Sequence, residues 1–500
     1  MLLSLDGTGP VYQQIYRALK REIVSGDMKP ATRLPSTRDL ADQMTVSRNT
    51  VLLAYEQLLA EGYVRGKIGA GTFVADVLPE QGLSSSPPVT ALASYAEVNL
   101  SNYARRAVNK PYRVLGPRSR ALRQDFQYGV SSTSDFPFDI WRKLLNNRAK
   151  SSASEAFMYS APEGSQRVRE AIAGYLHRSR GVRCSPDQVL VVNGSQQAID
   201  IITRALIDPG DITVLEDPSY PGARDVFLAA GSQLLPVPVD LDGLNVDMFP
   251  AAARRARIAY ITPSHQFPTG VVMTLPKRLA LLAWAKECGT YIVEDDYDSE
   301  FRYDDRPIES LQGLDPTGPV IYVGTLSKTL TPSLRVGYIV APRELVQPLR
   351  TLKFLADRHT STLQQDVLAD FIGNGQFERY LLRVRKSNAR RRALLLKTLK
   401  DEFGESITIG GENAGLHMVV WFQNVPVEQT DTLVSIAEAN NIGVYSVSPY
   451  FSNRPAHAGL LLGYAALEEA SIQKGIRRLA ECLRPLLTAN AAASHAARHV

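Results

Sequence analysis

Cysteine is scarce: Cys184, Cys288 and Cys482 are the only thiols in 500 residues. Their odd number and wide separation exclude a disulfide framework, and none has zinc-ligand spacing, so no metal site is expected. Such usage fits a reducing cytoplasm. Long apolar runs are also missing. None approaches the roughly 18 residues that span a bilayer, and no charged segment followed by an apolar one opens the chain. Neither a membrane helix nor a signal peptide is therefore expected. Excess charge is small, at +5, and its distribution matters more than its sum. Hydrophobic residues at 44% and charged residues at 21% exclude a disordered, collagen-like or coiled-coil chain. At about 150 residues per domain, the length suggests roughly three folded units.

What is present divides into zones. Val11–Val24 has a helical apolar period, closed by Ser25-Gly26-Asp27. Ser36 caps a short helix through Gln43, and Ser47 caps another through Glu61. Tyr63–Val74, punctuated by Gly66, Gly69 and Gly71, reads as a β-ribbon. Two short helices joined by a tight turn form a helix-turn-helix, whose second helix enters the major groove. Its first residues, Ser47, Arg48, Asn49 and Thr50, are all polar. Arg48 suits guanine and Asn49 adenine. Arg38 is placed for a phosphate, and Arg65 and Lys67 would lie on the wing. Leu52, Leu58 and Leu59 are expected in the small core. LPSTRDLA (34–41), VSRNTV (46–51) and EGYVRGKIGAGTFV (61–74) resemble a GntR-type winged helix, which implies a DNA-binding domain at 9–77.

Residues 78–123 have linker composition. Gln81–Pro88 is Ser/Pro-rich, hence flexible. Arg105, Arg106, Lys110, Arg113, Arg118, Arg120 and Arg123 form a basic run without acids, read as a solvated tether or as a phosphate contact. The basic helix 378–392 leaves the same two readings open. A frayed tail is expected over 488–500.

Between 124 and 487, short apolar runs alternate with helical stretches. Gln188–Val192, Ile212–Glu216, Ala259–Thr262, Tyr291–Asp295 and Val320–Val323 read as strands of a buried parallel sheet. Lys328 follows the last run, flanked by hydroxyls. A lysine whose pKa is lowered by burial can form a Schiff base. Thr325 and Ser327 can donate to a phosphate and Arg335 can clamp it. A carboxylate at the end of Tyr291–Asp295 suits a pyridine nitrogen, although a metal site or a helix cap would also use it. Gly194-Ser195-Gln196 opens a helix, a ready phosphate cradle. Tyr220 follows another strand, where it can stack on a ring.

DDYDSEFRY (295–303), TPSHQFPTG (262–270) and GTLSKTLTPSLRVGY (324–338) resemble the MocR family of bacterial transcription regulators. These join a winged helix to an α/β fold-type I aminotransferase-like domain. The resemblance implies pyridoxal 5′-phosphate bound through Lys328, with Asp295 on the pyridine nitrogen, Tyr297 on the ring oxygen and Tyr220 stacked on the ring. Gly194, Ser195, Gln196, Thr325, Ser327 and Arg335 would hold the phosphate. It also implies a head-to-tail homodimer in which Tyr159 reaches the partner's cofactor. The implied function is a cofactor-dependent regulator that senses pyridoxal phosphate or an amino compound. The alternative is an active aminotransferase with a DNA-binding appendage.

Two positions depart from aminotransferases. Phe267 replaces the asparagine before PTG. Leu461 stands where an arginine grips the substrate carboxylate, and a leucine cannot make that pair. Arg454 and Arg224 are the candidates to replace it. Within the family, a GABA-responsive regulator uses the arginine, whereas pyridoxine-synthesis regulators sense the cofactor itself.

Overall fold

A computed structural model describes residues 3–67, 69–78, 99–108, 122–151, 158–303, 309–316 and 318–498. They form two compact units divided between Asn99 and Leu100. Gln81–Pro88, Lys110, Arg113, Arg118 and Arg120 lie outside the described residues.

The first unit contains helices α1 (Val11–Val24), α2 (Thr37–Met44) and α3 (Arg48–Ala60). An antiparallel ribbon of β1 (Val64–Lys67) and β2 (Gly71–Val74) follows. The local chemistry sets these bounds. Ser36 Oγ accepts from Asp39 N at 3.2 Å and Ser47 Oγ from Thr50 N at 3.2 Å, so both short helices are capped as their sequence suggested. Thr45 closes α2 in the left-handed region, at φ 57°. Ile15, Leu19 and Ile23 form one buried stripe of α1. In α3 the buried face is Val51, Ala54, Tyr55 and Leu58. Leu52 and Leu59 are 39% and 50% exposed, contrary to expectation. They lie seven residues apart on the neighbouring face, and only Leu58 of the three leucines joins the core.

The second unit is built on an eight-stranded sheet. In chain order its strands are β3 (Val189–Val192), β4 (Ile212–Asp217), β5 (Gln233–Asp240), β6 (Gly243–Leu244), β7 (Ala256–Ile261), β8 (Tyr291–Asp296), β9 (Val320–Thr325) and β10 (Gly337–Val340). In space the order is β3-β10-β9-β8-β7-β4-β5-β6. The inner strands are parallel and buried along their whole length, as in β4 and β9. The sheet is mixed rather than parallel throughout. β10 inserts antiparallel between β3 and β9, and β6 pairs antiparallel with β5 at the other edge. Beside it lies a four-stranded antiparallel sheet of β11 (Ile407–Gly410), β12 (His417–Pro426), β13 (Tyr445–Ser446) and β14 (His457–Gly463), in the order β11-β12-β14-β13.

Among the helices, α4 (Asn102–Val108), α5 (Ser195–Leu206), α6 (Pro221–Ala230), α7 (Arg343–Asp357), α8 (Gln376–Phe403) and α9 (Glu469–Arg498) bear on function. Two of them, α4 and α9, correct the sequence reading. α4 falls inside the expected linker, yet it packs against α6. Arg106 Nε donates to Ala229 O at 2.9 Å and Arg105 Nε to Leu100 O at 2.9 Å, so these two cations are bound within the second unit. Along α8, Arg385 donates to Glu300 O at 2.9 Å, Arg390 to Glu469 at 3.1 Å and Arg391 to Asp135 at 2.9 Å. Arg379, Arg383, Arg385, Lys386 and Arg390 are exposed, so most of this face is solvated, and only the buried Arg391 braces the unit from within. α9 continues to Arg498 where a frayed tail was expected from 488. Its Ala-rich end has high helix propensity. Among the described residues no helix is long and apolar enough to cross a membrane.

Candidate functional site

The parallel strands deliver their C-terminal ends to one place, the usual ligand position in open α/β sheets. Asp295 is the penultimate residue of β8, Thr325 ends β9, Gly194 precedes α5 and Tyr220 precedes α6. A cavity of about 220 Å³ opens there, lined by Ser195, Gln196, Tyr220, Asp295, Tyr297, Thr325, Ser327, Lys328 and Arg335 among others. Nine residues singled out from separate stretches of sequence thus meet around one space.

Lys328 Nζ donates to Gly129 O at 2.8 Å. Burial lowers its pKa, which favours the uncharged, nucleophilic amine. Gly129 sits at φ 72°, a conformation that favours glycine, and a Cβ there would lie 2.6 Å from Nζ, so a side chain would push the lysine end aside. Asp295 accepts from Tyr260 OH at 2.6 Å through Oδ2. Its Oδ1 is buried without a partner among the described residues. Burial is the main cause that pushes this carboxyl up to about 7.

At the other end, Gly194 caps α5 at φ 86° with no side-chain cap. Arg335 occupies the left-handed region at φ 50°, a placement that costs a non-glycine residue about 1 kcal/mol or more. That turn aims its guanidinium at the same helix end, where Nη2 donates to Asn193 O at 2.7 Å. A Cβ on Gly194 would come within 2.9 Å of that nitrogen. Thr325 Oγ1 accepts from Ser327 N at 3.2 Å. A bare helix N-terminus, a guanidinium and two hydroxyls make a dianion cradle. The partnerless Asp295 oxygen is free to meet a cationic ring nitrogen, and Lys328 to condense with an aldehyde. This donor set fits pyridoxal phosphate.

In the first unit, Arg38, Ser47, Arg48, Asn49, Arg65 and Lys67 are exposed, and Thr50 is half-buried. Ser47 and Thr50 share a hydroxyl contact of 2.8 Å, so both are committed to the cap. Arg48 Nε lies 3.4 Å from Thr37 Oγ1, which leaves Arg48 and Asn49 as the reaching side chains at the start of α3. Arg65 pairs with Asp76 at 2.9 Å on the exposed ribbon, a surface pair worth little and easily exchanged.

Comparison with known proteins agrees with both halves. Residues 11–74 match the gntR family of bacterial regulatory proteins, and residues 128–479 match aminotransferase class I and II. The chain is 37% identical to the probable rhizopine catabolism regulatory protein MocR of Rhizobium meliloti, over 96% of this chain and 95% of that protein. It is 35% identical to the HTH-type transcriptional regulator YdeL of Bacillus subtilis, over 94% and 96%. The second unit resembles the α-aminoadipate aminotransferase LysN of Thermus thermophilus, solved with N-(5′-phosphopyridoxyl)-L-leucine. That likeness has a TM-score of 0.70 and 29% identity, covering 78% of this chain and 98% of LysN. The chain belongs to the MocR family of transcription regulators. It is a DNA-binding regulator whose aminotransferase-like domain takes pyridoxal phosphate as cofactor.

For this MocR-family chain, the carboxylate question has a structural answer. Leu461 is fully buried beside Tyr128, Phe267 and Tyr450. Neither replacement candidate lines the cavity. Arg224 donates to Pro449 O at 3.1 Å, and Arg454 is exposed.

Several residues of the site were not singled out from sequence. His265 Nδ1 lies 3.0 Å from Tyr297 OH and 3.0 and 3.1 Å from the Asp298 oxygens. His417 stacks obliquely at 5.1 Å from His265, with Nε2 3.1 Å from Pro268 O. A carbonyl only accepts, so His417 carries its proton on Nε2, and burial holds its pKa well below the usual value. Donor atoms of His265, Asp298 and His417 lie within 4.8 Å of one another, the one cluster of metal-ligand type among the described residues. Asp298 already bonds His265, which makes the pair a support for Tyr297. The motifs TPSHQFPTG and DDYDSEFRY contain His265 and Asp298. Their pairing across 33 residues had no local signal.

Proposed function

We propose that the chain is a homodimeric, cytoplasmic regulator in which cofactor occupancy, or an amine entering beside the cofactor, sets affinity for promoter DNA. Lys328 binds pyridoxal phosphate covalently, Asp295 keeps the pyridine nitrogen protonated and Tyr297 donates to the ring oxygen. Tyr220 covers a ring face. The Gly194–Gln196 turn, Thr325, Ser327 and Arg335 hold the phosphate. When bound, the cofactor supplies an aldehyde that captures amines and a ring that withdraws electrons.

The single observation that carries this reading is the partnerless Oδ1 of Asp295 on the wall that Lys328 shares. A buried carboxylate left half-bonded is costly unless a cation completes it. Tyr159 is 81% exposed and stands outside its own chain's cavity. The Arg358 guanidinium lies 5.3 Å from its ring centroid and His359 meets it edge-on at 6.0 Å. An exposed, braced phenol of this kind supports a role in the partner's site within a head-to-tail dimer.

Arg48 and Asn49 read base edges, Ser47 and Thr50 set the start of α3, and Arg38, Arg65 and Lys67 contact phosphates. An effector acts through differential affinity for two states of the regulator. The test is spectroscopic. Lys328→Ala is expected to abolish the visible band of the cofactor-loaded protein, and a retained band would remove Lys328 from the assignment.

A further inference from the structure

The cavity walls have a polarity that selects among amines. Among the described residues that line it, the strong bases are Lys328 and Arg335. Arg335 is committed to the Gly194 turn through its bond to Asn193 O, and Lys328 to the cofactor. His417 is held neutral by burial. Tyr128, Tyr220, Phe267 and Tyr297 supply the aromatic part of the wall. Tyr128 and Phe267 lie 6.0 Å apart, and Tyr450, which does not line the cavity, packs on Phe267 at 5.1 Å and 81°. Leu461 is fully buried in this cluster, opposite Val419 of β12. The anionic side chains facing the space are Asp295 and Asp298.

We propose that the amine admitted beside the cofactor carries no carboxylate. It is a primary amine on an apolar or aromatic body. Aromatic faces and carboxylates attract an ammonium group. A ligand carboxylate would be stripped of water with no uncommitted cation among the described lining residues of this chain to meet it, and an unpaired buried charge of that kind is strongly disfavoured. This inference rests on the cofactor reading above and adds the ligand class.

The experiment uses the full-length protein loaded with pyridoxal phosphate and two matched pairs: 2-phenylethylamine against phenylalanine, and tyramine against tyrosine. The visible cofactor band is followed as each is added, and DNA affinity is measured at the end points. Each amine is expected to shift the band, with its amino acid needing about 100-fold more or failing to act. Amino acids that act as readily as their amines would overturn the inference, as would a band that neither member of either pair moves. A protein with no cofactor band at all would fail the cofactor reading itself and take this inference with it.

Discussion

Tyr260 donates its phenol proton to Asp295 Oδ2 at 2.6 Å and leaves Oδ1 of the same carboxylate bare inside the protein. One oxygen is fixed and the other is aimed. The fixed oxygen sets the carboxylate plane, and the bare one is the half that an incoming cation completes. Burial resists the charge and raises this carboxyl to about 7, so without a ligand the site is held at an electrostatic disadvantage.

That disadvantage has a pH signature. Between about pH 4 and pH 7 the unfolded chain has released the Asp295 proton while the folded apo form still holds it. Apo stability therefore falls as pH rises through this window and levels above about 7. Glu216 and Glu300, both raised to about 7 mainly by burial, act in the same direction. Asp295→Asn removes one of these contributions. Thermal melts should show a shallower decline for the apo variant and a higher melting temperature than wild type at pH 8. Its cofactor affinity should fall by at least about 10-fold, because the ring nitrogen loses its partner. A variant with unchanged slope and unchanged affinity would contradict the assignment.

The phosphate cradle is tied from behind. Asp357, at the end of α7, accepts from Asn193 Nδ2 at 2.6 Å and from Gln197 Nε2 at 2.7 Å, and also pairs with the fully buried Lys353. Asp357→Asn should destabilise the second unit by about 1–3 kcal/mol. It should also weaken cofactor binding in dialysis by about 10-fold through a loosened Gly194 turn. The first unit's own melting transition should not move.

Arg48→Ala is expected to cost about 1–3 kcal/mol on a preferred DNA sequence and much less on random DNA. Equal losses on both would assign Arg48 to phosphate. Ser47→Ala should act differently, lowering the stability of the winged helix by about 1 kcal/mol through the lost cap.

Tyr159 can be tested in mixed dimers. One hybrid joins a Lys328→Ala chain to a Tyr159→Ala chain. It should keep one site of normal cofactor affinity, because that site's lysine and the phenol opposite are both intact. A hybrid of wild type with a chain carrying both changes should have only a weakened site. The reverse pattern would place Tyr159 in its own chain's site.

Much of this was legible because it is local. Ser36 and Ser47 announce their helices, and the strand-then-motif pattern puts Gly194, Tyr220, Asp295 and Lys328 on one edge of a sheet. What was hidden depends on long-range packing. Gln233–Asp240 carries Pro236 and Pro238, which obscure the apolar run of an outlying strand. Gly337–Val340 is only four residues long and runs against its neighbours. Arg106 looked like a tether cation, and only the fold shows the α6 carbonyl that holds it. Tyr260, His265, Asp298 and Asp357 support the site through partners 32 to 164 residues away, and no spacing in the sequence encodes such pairs.

The most direct test of the central claim is a single titration. Pyridoxal phosphate is added to the apo protein while the visible band and the affinity for a DNA sequence selected from a random pool are recorded together. The account predicts that both change over the same cofactor range, with DNA affinity moving by at least about 5-fold. A cofactor band that fills while DNA affinity stays constant would contradict it.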